Sequence, residues 1–218
     1  MDISADSERW QEAIQREYDA RAQRFPHAAL GWRLLYSPCR VLDGARVAFI
    51  GFNPGGRFVD PTHGVFSAES GSAYRKDVEN WGVSSALQDQ VMALFEKLQV
   101  SPEDVLAGNL VPFRSPDEAS LPDAPLAIAF GRNLWSEIFH KVKPKIVVTM
   151  GTTANREISR LLRVRNTATR LVGWGNYSAS RGEFSAGTWI GLPHLSRFTI
   201  MKRSESQAPL NELLSDLD

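Results

Sequence analysis

The sequence predicts an α/β fold in which a central, mainly parallel four-stranded sheet lies between two layers of helices. Short apolar segments alternate along the chain with longer segments of helical periodicity, which is typical of strand–helix–strand units. Glycine- and proline-rich turns follow the apolar segments. The length of 218 residues and a hydrophobic content of 43% suit one ordinary domain with a substantial core. We therefore expect residues 1–218 to form a single-domain, three-layer α/β/α sandwich.

Four short apolar segments are the candidate core strands, and a glycine-rich region precedes the last of them. These segments are residues 46–50, 105–111, 145–149 and 188–191. Residues 145–149 form the clearest buried strand, because every position from Ile146 to Val148 is β-branched. Residues 170–191 alternate aromatic and polar side chains between glycines, which predicts an antiparallel excursion leading into the last core strand.

The first half of the chain contains two predicted helices separated by a strand and a loop. Residues 6–24 carry apolar side chains at helical spacing, namely Trp10, Ala13, Ile14 and Tyr18. Residues 57–84 have no clear periodicity and are rich in Gly, Ser, Pro and aromatics, so we expect a long functional loop. Ser84 or Ser85 is a suitable N-cap for a helix that continues to about Leu98.

The second half of the chain contains three more predicted helices. One runs through residues 126–139 and ends at Lys143-Pro144, since a proline cannot continue it. The next follows Gly151-Thr152-Thr153-Ala154 and reaches about Leu162. A short helix over residues 207–216 closes the chain.

Composition excludes several classes of protein. No segment approaches the ~18 apolar residues of a membrane span, and the N-terminus is acidic rather than signal-like. Cys39 is the only cysteine, so neither an internal disulfide nor a four-cysteine iron–sulfur cluster can form, and no metal site is expected. We expect a cytoplasmic, monomeric protein without a cofactor.

The charge is unevenly distributed although its sum is zero. Residues 132–203 contain thirteen Lys and Arg against three acidic residues, whereas the remainder is acidic by the same margin. An excess of ten positive charges in one region favours a polyanionic partner such as DNA. Any single arginine among them is more simply explained as part of a solvated helix face.

Two short strings follow the first and last predicted core strands. Gly51-Phe52-Asn53-Pro54-Gly55-Gly56 follows residues 46–50, and Leu192-Pro193-His194-Leu195-Ser196-Arg197-Phe198 follows residues 188–191. The carboxyl ends of parallel strands meet at one edge of a sheet, so Asn53 and His194 are expected to share a pocket. Each string alone is also consistent with an ordinary turn, and the first lacks the Lys and Ser/Thr of a P-loop.

Together these strings resemble the uracil-DNA glycosylase superfamily. A Gly-x-Asn-Pro-Gly motif after the first strand and a His-x-Ser motif after the last are features of that family. Asn109, which opens Asn-Leu-Val-Pro-Phe-Arg-Ser-Pro, and Gly151-Thr-Thr-Ala154 are similar to two further turns of the family. The resemblance covers residues 46–200. It implies a DNA glycosylase that acts on a base flipped out of the helix.

The resemblance also implies roles for individual residues. His194 would stabilise the departing base anion, as a donor does in an oxyanion hole, and Asn53 would position the attacking water. Asn109 would read the edge of the base. The base pocket would be formed by Gly51, Phe52, Pro54, Gly55, Phe66 and Asn109. The contacts to DNA would come from Ser196, Arg197, Gly151 and Thr152. Phe58 competes with Phe66 as the aromatic that stacks on the base.

Asn53 and Gly55 indicate the branch of the family. Asn53 resembles the mismatch- and thymine-directed type, whereas the fastest uracil-specific enzymes have Asp at this position. Gly55 stands where strict uracil enzymes have a tyrosine that blocks bulky C5 groups, so we expect a roomier pocket. Leu195 replaces a proline found in many relatives, and Arg197 lies near the place where some relatives insert a leucine into the duplex.

Two other functions fit parts of the sequence. A glycosylase-like module that binds an altered base without cleaving it is compatible with Asn53, which is not a general base. Glu69, Asp77 and Glu79 lie in the predicted loop and are alternative sources of such a base, although exposed charges are the simpler interpretation. An α/β enzyme acting on a free nucleotide would explain a pocket but not the basic excess.

Overall fold

The structure, a computed structural model, describes residues 3–59 and 64–217. Within those ranges the chain forms six α-helices and six strands. The helices are α1 Ile3–Arg24, α2 Ala73–Trp81, α3 Ala86–Lys97, α4 Ala124–Val142, α5 Thr152–Leu161 and α6 Ser204–Leu213. The strands are β1 Val47–Gly51, β2 Leu106–Asn109, β3 Ile146–Met150, β4 Arg165–Leu171, β5 Ser178–Phe184 and β6 Gly187–Leu192.

All six strands form one mixed sheet in the order β2-β1-β3-β6-β5-β4. The strands β2, β1, β3 and β6 are mutually parallel, whereas β5 and β4 are antiparallel to their neighbours. The α/β class is therefore confirmed, but the predicted number of four strands is wrong. The antiparallel excursion begins at Arg165, earlier than residue 170, and its two strands extend the sheet beside β6 instead of lying outside it.

Each face of the parallel strands is covered by helices. Ala48 and Ile50 of β1 belong to a core that includes Trp10 of α1 and Trp135 of α4. Val47 and Phe49 belong to a second core on the opposite face, which includes side chains of α2, α3 and α6. Successive residues of β1 thus enter different cores because side chains alternate across a strand. This continuous burial explains why the core strands are apolar throughout.

The predicted long loop contains a helix that the sequence analysis missed. Helix α2 lies inside residues 57–84, where we expected no regular structure. Its Tyr74 is buried and packs edge-on against Phe49, with ring centroids 6.0 Å apart. Tertiary packing of this one side chain outweighs the weak periodicity of the segment. Gly82, with a φ of 72°, ends the helix in the left-handed conformation.

Helices α3 and α4 end where the sequence predicts, and the last residue of α4 is Val142, immediately before Lys143-Pro144. Ser85 caps α3 in a capping box with Gln88, and α3 ends at Lys97, as the sequence indicates. Helix α4 approaches the end of β2 so closely that a Cβ at Gly131 would lie 1.9 Å from the Leu110 carbonyl oxygen. This approach lets the Trp135 indole donate a hydrogen bond of 2.7 Å to the carbonyl of Asn109. Packing of α4 therefore fixes the backbone at the end of β2.

Candidate active site

Four strand ends meet at one edge of the sheet. The register pairs Gly51 with Asn109 at the ends of β1 and β2, and Met150 with Leu192 at the ends of β3 and β6. The turns that follow all four parallel strands therefore leave the sheet at the same edge. This is the convergence that the strand order in the sequence predicts.

Close contacts join these turns in pairs. A Cβ at Gly51 would lie 2.7 Å from Oδ1 of Asn109, so only glycine lets this amide lie against β1. A Cβ at Gly151 would lie 3.4 Å from Cδ2 of His194, and the φ of Gly151 is +88°. Gly151 is thus the residue against which the imidazole ring rests.

The side chain of Asn53 is held by its amide nitrogen. Nδ2 donates to Oγ of Ser115 at 2.8 Å and lies 3.2 Å from the carbonyl oxygens of both Pro54 and Phe113. Ser115 is buried, and its hydroxyl donates onward to the carbonyl of Asp117 at 2.7 Å. Because these acceptors surround the nitrogen, the amide oxygen Oδ1 points away from them as a hydrogen-bond acceptor.

The side chain of His194 is held in one tautomer. Its Nδ1 lies 2.8 Å from Oγ of Ser196 and 3.4 Å from the backbone nitrogen of Ser196, which can only donate. Nδ1 is therefore the acceptor, and the proton of the neutral ring resides on Nε2. Burial lowers the pKa of His194, and the charge of Arg197 lowers it further. The ring is thus a neutral donor through Nε2.

Helix α5 and β3 hold the start of the His194 loop. Nδ2 of Asn155 donates to the carbonyl of Leu192 at 2.9 Å. Oδ1 of Asn155 accepts a 2.7 Å hydrogen bond from Thr149, whose hydroxyl also accepts one from the indole of Trp189. This chain of hydrogen bonds connects α5, β3 and β6 directly beneath the histidine. It was not predicted from the sequence, in which Asn155 is simply one polar helix residue.

Asn109 lies in a buried polar pocket with Tyr36, a residue that the sequence analysis did not single out. The side chain of Asn109 is 5% exposed and hydrogen-bonds to the Tyr36 hydroxyl. Burial raises the pKa of Tyr36, and the guanidinium of Arg33, 4.4 Å from the ring centroid, partly opposes that rise. The other neighbour of Tyr36 is the stacked ring of Tyr74. The apolar segment before β1 contains no motif that would have identified Tyr36.

The two candidate stacking aromatics lie in contrasting environments. Phe66 is 4% exposed, and its ring stacks on Trp10 of α1 with centroids 6.3 Å apart. Phe58 is 81% exposed. The role of either ring toward a base stays a prediction, but Phe66 has one face fixed against the core.

The glycines of the first motif differ in what surrounds them. A Cβ at Gly55 would meet nothing within 4 Å, and the residue is exposed. A Cβ at Gly56 would lie 1.9 Å from the guanidinium of Arg114, and Gly56 has a φ of +129°. The neighbouring Phe52 and Pro54 are buried, and Pro54 accepts a backbone hydrogen bond from Ser115. Only Gly55 has room for a larger side chain.

Two arginines, one from each of the first and last motif loops, lie close enough to Asp117 to affect its carboxylate. Hydrogen bonds from Ser120 lower the pKa of Asp117, and the charges of Arg57 and Arg197 lower it further. Arg57 follows the first motif and Arg197 belongs to the second, so both loops approach Asp117. Both arginines are exposed. The site therefore has a cationic rim.

The remaining predicted contacts lie beside this rim. Thr152 is exposed at the first residue of α5, and the exposed Ser196 uses its hydroxyl on His194. Thr153, one residue further on, is buried and donates to the carboxylate of Glu118 at 2.7 Å. A carboxylate from the loop after β2 thus contacts the first turn of α5.

The alternative carboxylates in residues 57–84 have other partners. Glu69 accepts hydrogen bonds from Ser67 and from the backbone of Cys39, and the bond from Ser67 lowers its pKa. Glu79 pairs with Lys76 at 2.8 Å on the surface of α2. Asp77 lies on the same helix and interacts electrostatically with Tyr36. None of these contacts brings a carboxylate to the side chain of Asn53.

Much of the basic excess in residues 132–203 contacts acidic groups of the protein itself. The buried Glu157 is surrounded by three arginines, namely Arg132, Arg156 and Arg160. Arg170 pairs with Glu212 at 2.5 Å, and Arg181 donates to the backbone carbonyls of Leu213, at the end of α6, and of Ser215, just beyond it. The excess is therefore a weaker indicator of DNA binding than its sum implies, whereas the rim arginines remain suitable for phosphate contacts.

A cavity lies away from this edge of the sheet. It has a volume of about 450 Å³ and is lined by residues at the end of α5 and around the β5–β6 turn, including Arg165, Glu183 and Phe184. In residues 3–59 and 64–217, no three His, Cys, Asp or Glu side chains cluster as metal ligands would. No described helix combines the length and apolarity that crossing a bilayer requires.

A family model described as the uracil DNA glycosylase superfamily matches residues 40–218, well over half of the chain. The chain belongs to the uracil DNA glycosylase superfamily. The resemblance seen in the four turns is thus confirmed, and it indicates hydrolytic removal of a base from DNA. A comparison with curated proteins finds no match.

Proposed function

We propose that the protein is a monofunctional DNA glycosylase that hydrolyses the N-glycosidic bond of a flipped uracil-like, mismatched or modified pyrimidine. The observation that carries this proposal is the fixed tautomer of His194, whose Nδ1 accepts from the Ser196 backbone. A neutral imidazole held in this way presents Nε2–H as a permanent donor. Such a donor suits a reaction in which negative charge develops on a departing base.

His194 stabilises the leaving group in this proposal. The bond between C1′ of the sugar and the base nitrogen breaks, and its electron pair stays on the base. Nε2–H of His194 donates to the base oxygen on which the negative charge accumulates. Because the hydrogen bond strengthens as the charge grows, it favours the transition state over the bound substrate. Solvent then protonates the released base.

Asn53 orients the nucleophile. Its Oδ1 accepts a hydrogen bond from a water, whose oxygen forms the new bond to C1′ of the oxocarbenium-like sugar. The amide does not take up the proton, which passes to solvent as the bond forms. The contacts of Nδ2 to Ser115, Pro54 and Phe113 support this role, since they keep Oδ1 in one direction.

In this proposal the base pocket and the DNA contacts lie at the edge of the sheet where the four parallel strands end. We infer that Asn109 reads the edge of the flipped base and that Gly51, Phe52, Pro54 and Phe66 line the pocket. Backbone and side chains at Gly151, Thr152, Ser196 and Arg197 contact the DNA backbone. Support comes from the exposed Thr152 at the start of α5 and from the exposed Arg197, since amides at a helix N-terminus and guanidinium groups bind phosphate.

Gly55 determines the breadth of the substrate range in this proposal. The open space around its Cβ position supports a pocket that admits a substituent at C5 of a pyrimidine. With Asn53 in place of Asp, this assigns the protein to the slower, broader, mismatch-directed type. One face of Phe66 rests on Trp10, so its ring is preorganised to stack on the flipped base.

The alternative carboxylates after the first motif are engaged with other groups, and this favours a second function, recognition of a base without catalysis. Glu69 and Glu79 are engaged with neighbouring groups, so Asn53 would act without a general base from these residues. A module that recognises an altered base without cleaving the glycosidic bond would need no general base. The two functions differ only in whether the glycosidic bond breaks.

A panel of oligonucleotides distinguishes them. Duplex and single-stranded DNA containing uracil, mismatched thymine or 5-substituted pyrimidines is incubated with the protein and then treated with alkali. Catalysis yields strand breaks at the target position, and His194→Ala reduces them by about 10²-fold or more. His140→Ala, on the exposed surface of α4, is the matched control. A shift in gel mobility without breakage for the whole panel would support the binding module instead.

A further inference from the structure

The turn between β4 and β5 lies at the same edge of the sheet as His194. Strand β6 runs toward this edge and ends at Leu192, and β5 runs away from it, beginning at Ser178. Strand β4 ends at Leu171, which pairs with Ser178. Residues 172–177 therefore leave the sheet beside the His194 loop. Neither the family motifs nor the proposed chemistry uses this turn.

Three aromatic side chains connect this turn to the His194 loop. The ring centroid of Tyr177 lies 3.9 Å from that of Phe198, and Trp174 packs edge-on against Phe198 at 6.2 Å. The guanidinium of Arg203 lies 4.8 Å from the ring of Trp174. Phe198 in turn donates its backbone N–H to the carbonyl of His194 at 3.1 Å. We call Trp174, Tyr177 and Phe198 the aromatic turn cluster.

The turn itself is firmly anchored. The backbone N–H of Val172 donates to the carbonyl of Tyr177, and the N–H of Tyr177 donates to the carbonyl of Trp174, each at 3.0 Å. The hydroxyl of Ser206 on α6 donates to the carbonyl of Val172. Gly173 has a φ of +70°, and a Cβ there would lie 2.3 Å from the Glu205 carbonyl oxygen. These contacts fix the direction in which Tyr177 projects.

Tyr177 is nevertheless 48% exposed. One face of its ring is supported by Phe198, so the exposed part is a flat aromatic surface beside the site. Two exposed cationic side chains lie next to members of the cluster: Arg197 directly precedes Phe198 in the chain, and Lys202 lines a surface pocket together with Trp174. A rigid aromatic surface among cations is the combination that binds a nucleic acid base together with its phosphate.

We propose that the aromatic turn cluster is a second DNA-contact surface, on which Tyr177 stacks against an unpaired base next to the target nucleotide. The proposal rests on the proposed function, since a flipped nucleotide leaves its neighbours without a stacking partner. A base stacked on Tyr177 keeps the strand aligned with the His194 loop through Phe198. The surface therefore favours single-stranded or locally unpaired DNA over a continuous duplex.

Binding to an uncleavable probe tests this surface. The full-length protein is titrated with a single-stranded oligonucleotide that carries a tetrahydrofuran abasic-site analogue, which has no base to remove. Tyr177→Ala weakens binding by about 10-fold, within the range for loss of one stacked base. Tyr177→Phe retains wild-type affinity because the ring, rather than the hydroxyl, forms the contact. Leu171→Ala is the matched control, since Leu171 is 60% exposed on the adjacent strand.

Several outcomes would overturn the proposal. Unchanged affinity of Tyr177→Ala, equal loss in Leu171→Ala, or equal loss in Tyr177→Phe would each contradict stacking by Tyr177. An equal effect on a fully paired duplex would contradict the preference for unpaired DNA. Circular dichroism and thermal unfolding confirm that each variant is folded. The probe cannot be cleaved, so this test does not depend on catalysis. If Tyr177→Ala weakens binding to the probe while the wild type excises no base from any oligonucleotide, the catalytic proposal is refuted and the proposed stacking surface stands.

Discussion

The amide nitrogen of Asn53 lies 2.8 Å from the hydroxyl oxygen of Ser115. Asn53 follows β1 and Ser115 follows β2, so a residue on one turn orients the functional group of another. The hydroxyl of Ser115 has a second fixed partner, the carbonyl of Asp117. The proposed water-binding group is therefore held mainly by the loop after β2, with one further contact to Pro54 of its own motif.

Removing this hydroxyl should slow the reaction without disrupting the fold. Ser115→Ala deletes one of the acceptors that hold Nδ2, so Asn53 orients its water less well. We expect a decrease in the single-turnover rate of about 5–10-fold, the usual effect of one hydrogen bond. Ser101→Ala, an exposed serine before β2, is the control and should leave the rate unchanged. A normal rate in Ser115→Ala would mean that the backbone carbonyls alone orient Asn53.

The pH dependence of the rate should reflect the neutral state of His194. Burial and the charge of Arg197 lower its pKa, so the ring stays neutral above the ordinary histidine value of about 6.5. The single-turnover rate should be constant from pH 8 to below 6.5. It should decrease only when the pH falls through the lowered pKa and Nδ1 binds a proton instead of the Ser196 N–H.

Arg197→Gln tests the cause of this shift. Removing the positive charge should move the acidic decrease of the rate toward higher pH, because Arg197 lowers the histidine pKa. Arg16→Gln, on the exposed surface of α1, is the control for loss of one charge. An inflection at or above pH 6.5 in the wild type would contradict a half-buried histidine that stays neutral.

A larger side chain at Gly55 should narrow the substrate range. Nothing lies within 4 Å of its Cβ position, and its φ is not in the left-handed region, so a tyrosine fits without backbone strain. Gly55→Tyr should reduce excision or binding of 5-substituted pyrimidines by 10-fold or more while leaving uracil within a few-fold. Gly55→Ala should behave like the wild type. If Gly55→Tyr loses activity or binding equally for uracil and for 5-substituted bases, Gly55 does not determine the selectivity of the pocket.

The Tyr36 hydroxyl should support base recognition by Asn109. Tyr36→Phe keeps the ring against Arg33 and Tyr74 but deletes the hydrogen bond to Asn109. We expect kcat/KM for the preferred base to decrease by about 5–10-fold. Tyr74→Phe removes the same atom from the neighbouring, buried ring and is the control. If both variants lose activity equally, the effect belongs to packing rather than to Asn109.

Regular elements with strong local signals were predictable. The N-cap of α3, expected at Ser84 or Ser85, and the apolar segments of β1 and β3 depend on neighbouring residues, so the sequence identified them. Helix α2 escaped prediction because burial of Tyr74, a distant contact, stabilises it. The antiparallel excursion was predicted over residues 170–191, but its start at Arg165 and its place in the sheet were not, since the exposed β4 lacks the apolar pattern of a core strand.

The residues of the candidate site likewise fall into two groups, those that the sequence identified and those that it did not. The motifs with Asn53 and His194 indicated a family and a shared pocket, because residues at parallel strand ends must lie at one edge. Ser115, Tyr36 and Asn155 carried no such signal. Each acts through a hydrogen bond to a partner at least six residues away, and spacing along the chain does not encode that partner.

The sequence by itself determined the α/β class, the order of the parallel strand ends and the family to which the chain belongs. These properties follow from apolar periodicity and from turns that are local in the chain. Only the tertiary structure decided which atom of Asn53 and which nitrogen of His194 face the site, and that Tyr177 lies beside it. Hydrogen-bond direction and side-chain exposure depend on groups brought together by folding, so they exist only once the sheet has formed.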